Sequence, residues 1–382
     1  MSAYLYPVKM AVLTFPILAL VLALPFLILQ YRRYGSFLWW RAIVVYSFVF
    51  YMLAAYFLII LPLPSRSSVA ALTTAHYNLV PLTALREFVH TTVFSPLHPS
   101  TWLAALKQPG FIQPAFNIVL TIPFGVYLRY YFKRPLWQVW LMALGLSLFF
   151  ELTQLSGLYG YYPRPYRLFD VDDLILNSSG GLIGGLLAPT LMRAFPTRDE
   201  MDAASRQRGQ KVSLTRRLVA FIIDNVVLFG IIAGLLSLLA RLLGVENLLP
   251  GLVLQTILPL FFLHVLVPTF NHGATWGKSL VRIRVVDQAG QPAGFWRLLW
   301  RAVLLYGVVL QSVRGFLVMF QEVFSKMHQS ELNVALMVLF GVIVGFVVLN
   351  FLWELVTRDN HYFYEVWSKT HQTSSIKAAK EQ

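Results

Sequence analysis

The chain contains no cysteine in 382 residues. Disulfides, thiolate nucleophiles and cysteine-bound metals are therefore excluded. Charge is also scarce. Only 13% of residues are Asp, Glu, Lys or Arg, against about 25% in an ordinary soluble domain. No H-E-x-x-H helix, nucleophile elbow or kinase-type motif is present, and Gly277-Lys278 lacks the glycine spacing of a phosphate loop. The aspartates at 170–173 are too compact for an EF-hand, which needs a longer loop closed by glutamate. The eight histidines are scattered, and His264 reads as a hydrogen-bonded helix residue rather than a ligand. No metal and no cofactor are expected.

What is abundant is apolar: 57% of residues. These residues come in blocks of about 20 separated by charged loops, the pattern of membrane spans. Nine helices are predicted, centred on 8–29, 38–61, 114–132, 136–155, 174–195, 217–242, 248–269, 299–320 and 332–356. The first block is too long for the apolar part of a signal peptide and no small-residue cleavage pattern follows it, so it counts as a span. The predicted fold is all-α, a polytopic integral membrane protein in two bundles. Residues 1–195 form five helices, 196–216 a basic cytoplasmic linker, 217–370 four helices and 371–382 a tail.

The net charge is +14, and its position decides its meaning. One set of loops holds Arg32, Arg33, Lys133, Arg134, Arg198 to Arg217, Lys278 to Arg301 and the C-terminal basic residues. That set carries about 19 basic residues against about 7 on the other side, a positive-inside bias. The N-terminus is then outside and the C-terminus cytoplasmic. Charge confined to one membrane face also argues against a nucleic-acid partner. The partner that is expected is the lipid bilayer.

Two groups of polar residues interrupt the apolar blocks. In the fourth predicted span Ser147, Glu151 and Gln154 share one helix face. A charge near the centre of a span costs about 2.5–3.5 kcal/mol, so such residues point to function. The next loop carries Arg167, and Asp170, Asp172 and Asp173 open the fifth predicted span, with Asn177 one turn below Asp173. Gly180, Gly181, Gly184 and Gly185 make small-xxx-small pairs that bring a neighbouring helix close. Asn117 lies near the same outer end of the third span. One aspartate is accounted for as a helix cap. The others, with Arg167, exceed that need. Asn117, Glu151, Gln154, Arg167, Asp170, Asp172, Asp173 and Asn177 are therefore expected to line an outer-face ligand pocket. The second group is Arg217 and Asp224, two turns apart on one face, with Glu354 near the same inner face and Arg358 four residues on. They form a candidate ion or proton site. The alternating VRIRVV (Val281–Val286) predicts a short strand or hairpin.

NLVP (Asn78–Pro81), FNIVLTIPFG (Phe116–Gly125), SLFFELTQ (Ser147–Gln154) and RLFDVDDLILNSSGGLIGG (Arg167–Gly185) resemble the VanZ-like family over about residues 1–195. That resemblance implies a bacterial membrane protein associated with low-level glycopeptide (teicoplanin-type) resistance. RRLVAFIID (Arg216–Asp224), TWGKSLVRIRVVD (Thr275–Asp287) and FYEVWSKT (Phe363–Thr370) resemble the RDD family over about residues 211–370. Glu365 and Tyr364 stand where that family would lead us to expect aspartate and histidine. This second resemblance implies transport of an unidentified ligand. The leading expectation is a non-enzymatic envelope protein that binds a cell-wall precursor, lipid headgroup or glycopeptide. A hydrolase or transferase acting on a lipid-linked substrate, with Glu151 and an aspartate as acid and base, is one alternative. A cation/proton transporter working through Asp224 is the other.

The charge bias makes a direct prediction about topology. Green fluorescent protein fused after Gln382 is expected to fluoresce, and alkaline phosphatase fused there to be inactive. An active phosphatase would contradict the orientation.

Overall fold

The computed structural model describes residues 2–245, 248, 250–325, 331–357 and 362–376. Among these residues nine helices are long and apolar enough to cross a membrane: Leu5–Tyr34, Trp39–Ile60, Pro109–Tyr130, Leu136–Leu155, Val171–Leu191, Leu214–Leu242, Val253–Phe270, Phe295–Ser325 and Glu331–Thr357. They are called the first to ninth spans below. The predicted spans correspond one to one, with ends shifted by a few residues. The third begins earlier than expected because Pro109 occupies its first turn, where a missing N–H is harmless. Strand is minimal: Tyr77–Asn78 pairs in parallel with Phe169–Asp170, and Ile283–Asp287 pairs antiparallel with Thr370–Ser374. The alternating VRIRVV segment thus finds its main partner near the C-terminus. Its local hairpin is reduced to one bridge, Val286 to Pro292.

Two compact units result. The first comprises Met1–Ala23 and Leu38–Ala203, the second Leu24–Phe37 and Ala204–Gln382. The first helix is therefore divided between them. In the second unit Tyr31 is buried with Val212, Val219, Ile223, Val281 and Ile283, and Leu24, Leu27 and Ile28 pack against this cluster. The Tyr31 hydroxyl bonds to the Thr215 hydroxyl at 2.7 Å. The segment expected to be a linker is helical over Arg198–Gly209. Its N-terminal half, up to Ala203, belongs to the first unit, where the buried Arg41 forms an ion pair with Asp202 at 2.6 Å.

Close packing in the first unit rests on glycine. The face of the fifth span carrying Gly180 and Gly184 lies on the backbone of the third span, at Ile118 and Ile122. The adjacent face, with Gly181 and Gly185, lies on Ala143 and Val139 of the fourth. Gly125 of the third span meets the Gly181 carbonyl in turn. The fifth span is thus wedged between two neighbours: a Cβ at Gly125, Gly180 or Gly184 would collide with main chain, and one at Gly181 with the Ala143 side chain. Small residues permit this approach in lipid, where van der Waals contact drives association.

Gly184→Val is expected to destabilise the protein by about 3 kcal/mol or more through overpacking. Gly145→Ala, where the added carbon meets nothing within 4 Å, is expected to be nearly neutral. Thermal unfolding in detergent compares the two.

Candidate functional site

In the first unit the wedge brings the polar ends of three spans together. Asn117 Nδ2 donates to Asp173 Oδ1 at 2.5 Å. The carboxyl groups of Glu151 and Asp173 are close enough to share a hydrogen bond. Glu151 also accepts the Asp170 N–H at 3.0 Å. One turn deeper, Asn177 Nδ2 donates to Ser147 Oγ at 2.9 Å, and Ser147 Oγ donates to the Asp173 carbonyl at 3.1 Å. Thr121 Oγ1 donates to the Asn177 carbonyl at 2.7 Å. Asn177 Oδ1 is buried without a hydrogen-bond partner among the described residues.

The remaining residues of this group serve helix ends. Asp170 precedes the fifth span rather than lying within it, and caps it by accepting the Asp172 N–H at 2.9 Å. Its carboxylate also takes Asn78 Nδ2 at 3.3 Å. Asp172 accepts the N–H groups of Leu82 at 2.6 Å and Ala84 at 2.7 Å. It thereby caps a short helix, Thr83–Thr91, from outside that helix. Gln154 and Arg167 both donate to the Ile59 carbonyl, at 3.1 and 2.7 Å. That carbonyl belongs to the last turn of the second span, where the intrahelical partner is missing and positive charge is favoured. The expectation that capping explains one aspartate is therefore revised: it explains two, and Arg167 as well. Asp173, Asn117 and the second oxygen of Glu151, whose first accepts the N–H of the capping Asp170, are what capping leaves unexplained. Asp172, the neighbour of Asp173, walls an apolar cavity of about 340 Å³ together with Leu85, Phe88, Phe111, Ala115, Ile118 and Leu176; it is the one charged residue of that wall, and Glu151, Asp173 and Asn117 are not part of it.

The second unit holds a larger cavity, of about 500 Å³. Arg217, Asp224, Asn225, His264, Lys278 and Arg301 are among its polar lining. Three of the contributing helices depart from α-geometry just there. Ile223–Leu228, Phe262–Leu266 and Val303–Leu310 are π-helical, and they carry Asp224 with Asn225, His264 and Tyr306. Such widened turns often accompany functional sites. His264 Nε2 bonds to Asn225 Oδ1 at 3.1 Å, and the Tyr306 hydroxyl lies 3.4 Å from His264 Nδ1. His264 is thus a hydrogen-bonded helix residue.

Asp224 is held by the TWGK turn. It accepts Thr275 Oγ1 at 2.5 Å and the Gly277 N–H at 2.7 Å. Thr275 also caps the helix Trp276–Leu280 through the Lys278 N–H. Gly277 is required because a side chain there would press on Asp224 and on the Ala220 carbonyl. Arg217 does not pair with Asp224. It turns to Glu365 at 3.1 Å, and Arg301 reaches the same carboxylate at 2.8 Å. Arg301 also donates to Thr370 Oγ1 at 2.8 Å, and Gln372 to Glu365 at 3.1 Å. The strand pairing that sets Asp287 opposite Thr370 carries Glu365 into this position. Glu354 is buried on the ninth span but is not part of the cavity lining. Arg358, its expected i+4 neighbour, lies outside the described residues.

Burial alone would raise the Glu365 carboxyl, but Arg301 and Arg217 more than offset this and hold it below the usual glutamate range. Burial pulls the Lys278 ammonium down to about 8, with Asp224 opposing. Burial likewise pushes the Tyr364 hydroxyl up to about 12. The sequence pattern did not single out Lys278, Arg301 or Arg216. Arg216 is fully buried and ties the carbonyls of Gly209, Val281 and Arg282 together. Adjacent arginines in a span opening were the available signal, since two neighbouring positions on a helix cannot serve one partner. Among the described residues no group of three or more His, Asp or Glu side chains is arranged to hold a metal.

Glu365→Gln is expected to cost about 3–5 kcal/mol, because it leaves two buried arginines uncompensated. The depressed carboxyl contributes stability that is complete above the ordinary glutamate range and is lost as pH falls through its lowered value. Thermal unfolding from pH 7 to pH 3 should therefore show an acid-side loss in the parent that the variant lacks.

Comparison with known proteins agrees with this division. Residues 48–193 match the VanZ/LLP1 family and residues 211–368 match the RDD family. No curated protein and no solved structure matches. The chain is a bacterial multi-pass cell-membrane protein in which a VanZ-like region is fused to an RDD-family region.

Proposed function

We propose that the VanZ-like unit binds the headgroup of an envelope amphiphile at the outer membrane face. Asp173 and Glu151 receive amine or hydroxyl groups of the ligand, and Asn117 fixes the Asp173 carboxylate. The observation that carries this reading is the junction of two unlike surfaces: Asp172 belongs to the acidic group and also walls the apolar cavity of about 340 Å³. A polar head beside an apolar slot suits a molecule with a sugar or amine head and a hydrocarbon tail. The excess of basic residues in the opposite set of loops supports placing this end of the spans outside. The helix Thr83–Thr91, capped by Asp172 and with Leu85 and Val89 exposed, suits the membrane surface there. The site acts by binding, and occupancy of an envelope precursor lowers sensitivity to teicoplanin-type glycopeptides. The VanZ-like match supports that phenotype.

Three variants in a sensitive host test the proposal: Asp173→Asn, Glu151→Gln and Ala115→Phe, the last filling the cavity. Each is expected to lose most of the protection against teicoplanin while reaching parental levels in the membrane. Unchanged protection in all three would sink the assignment.

A further inference from the structure

The charges around the second unit's cavity do not balance. Arg217, Lys278 and Arg301 face Asp224 and Glu365. Glu365 is shared by both arginines. Asp224 has one oxygen on the Thr275 hydroxyl and the other on the Gly277 N–H. The Lys278 ammonium makes no hydrogen bond or ion pair with the described residues, although it lines the cavity. Arg217 Nε is buried and likewise has no acceptor among them. An uncompensated cation in a low-dielectric setting is expensive unless something pairs with it. A cation arriving here would meet three cationic side chains against two carboxylates, whereas an anion would meet two unused donors.

The rest of the wall is hydrocarbon. Phe221 of the sixth span, Leu305 and Val309 of the eighth, and Val348 and Phe351 of the ninth line it. A fully hydrated anion would leave that surface unsatisfied. A phosphate group has enough oxygens to accept from a lysine and an arginine together. An attached hydrocarbon chain would cover the aliphatic wall. The volume of about 500 Å³ accommodates a headgroup and the first part of a tail.

We propose that this cavity is a binding site for an amphiphile with a phosphate headgroup, seated on Lys278 and Arg217 with its chain along the sixth, eighth and ninth spans. The site lies within the second unit and stands or falls independently of the outer-face site. Glu365 and Arg301 are positioning residues that aim Arg217. Asp224 positions the turn that carries Lys278.

The test is calorimetric titration of the full-length protein in an uncharged detergent with three probes: dioctanoyl phosphatidic acid, dioctanoylglycerol and inorganic phosphate. Phosphatidic acid is expected to bind at least tenfold tighter than either of the others. Lys278→Met is expected to weaken its binding at least tenfold and at the same time to raise the unfolding temperature, because it removes an unpaired cation. Lys278→Arg is expected to retain binding. Three outcomes overturn the proposal: equal binding of dioctanoylglycerol, unchanged affinity in Lys278→Met, or a lowered unfolding temperature in that variant. Inorganic phosphate binding as tightly as phosphatidic acid would overturn the amphiphile and leave a free-phosphate site.

Discussion

A charged or polar group inside a bilayer must find its partner within the protein, because no water is there to replace one. The rest of this structure follows from how that requirement is met. The chain is poor in charge, yet it places Glu151, Asp173, Arg216, Arg217, Asp224 and Arg301 within or at the ends of spans. Each of these has a named partner, and most partners lie on a different element. The bonds that satisfy the charges therefore also fix which helices meet.

The two units reach this end by different means. In the VanZ-like unit backbones approach until side chains are excluded, so short groups such as Asn117, Ser147 and Thr121 reach across directly. The cavity of this unit lies to one side of the packed spans, under the helix Thr83–Thr91. In the RDD-type unit three helices widen into π-turns at the level of Asp224, His264 and Tyr306. The polar groups there surround a cavity rather than close it. Long arginine and lysine side chains line it, whereas short asparagine, serine and threonine side chains join the spans of the other unit.

Much of this was legible in the sequence. Span number follows from apolar run length, and the meeting of Glu151, Asp173, Asn117 and Asn177 follows from helical spacing plus the glycine face. Backbone acceptors and donors were not legible. Arg167 and Gln154 answer the Ile59 carbonyl, and Asp172 answers two N–H groups of another helix, and none of these has a side-chain signature. The partner of Arg217 was hidden for a second reason. It lies 148 residues away and arrives through a strand pairing that local periodicity does not encode. The division of the first helix was invisible too, since its apolar run is continuous across Ala23 and Leu24.

The central claim is that Glu151 and Asp173 serve an amphiphile whose tail occupies the adjoining slot. An electron cryomicroscopy map of the full-length protein, extracted with its native lipids, tests this most directly. The account predicts elongated density in the slot beside Phe88 and Ala115, ending in a head within hydrogen-bond distance of Asp173. An empty slot, or tail density with no head at Asp173, would contradict it.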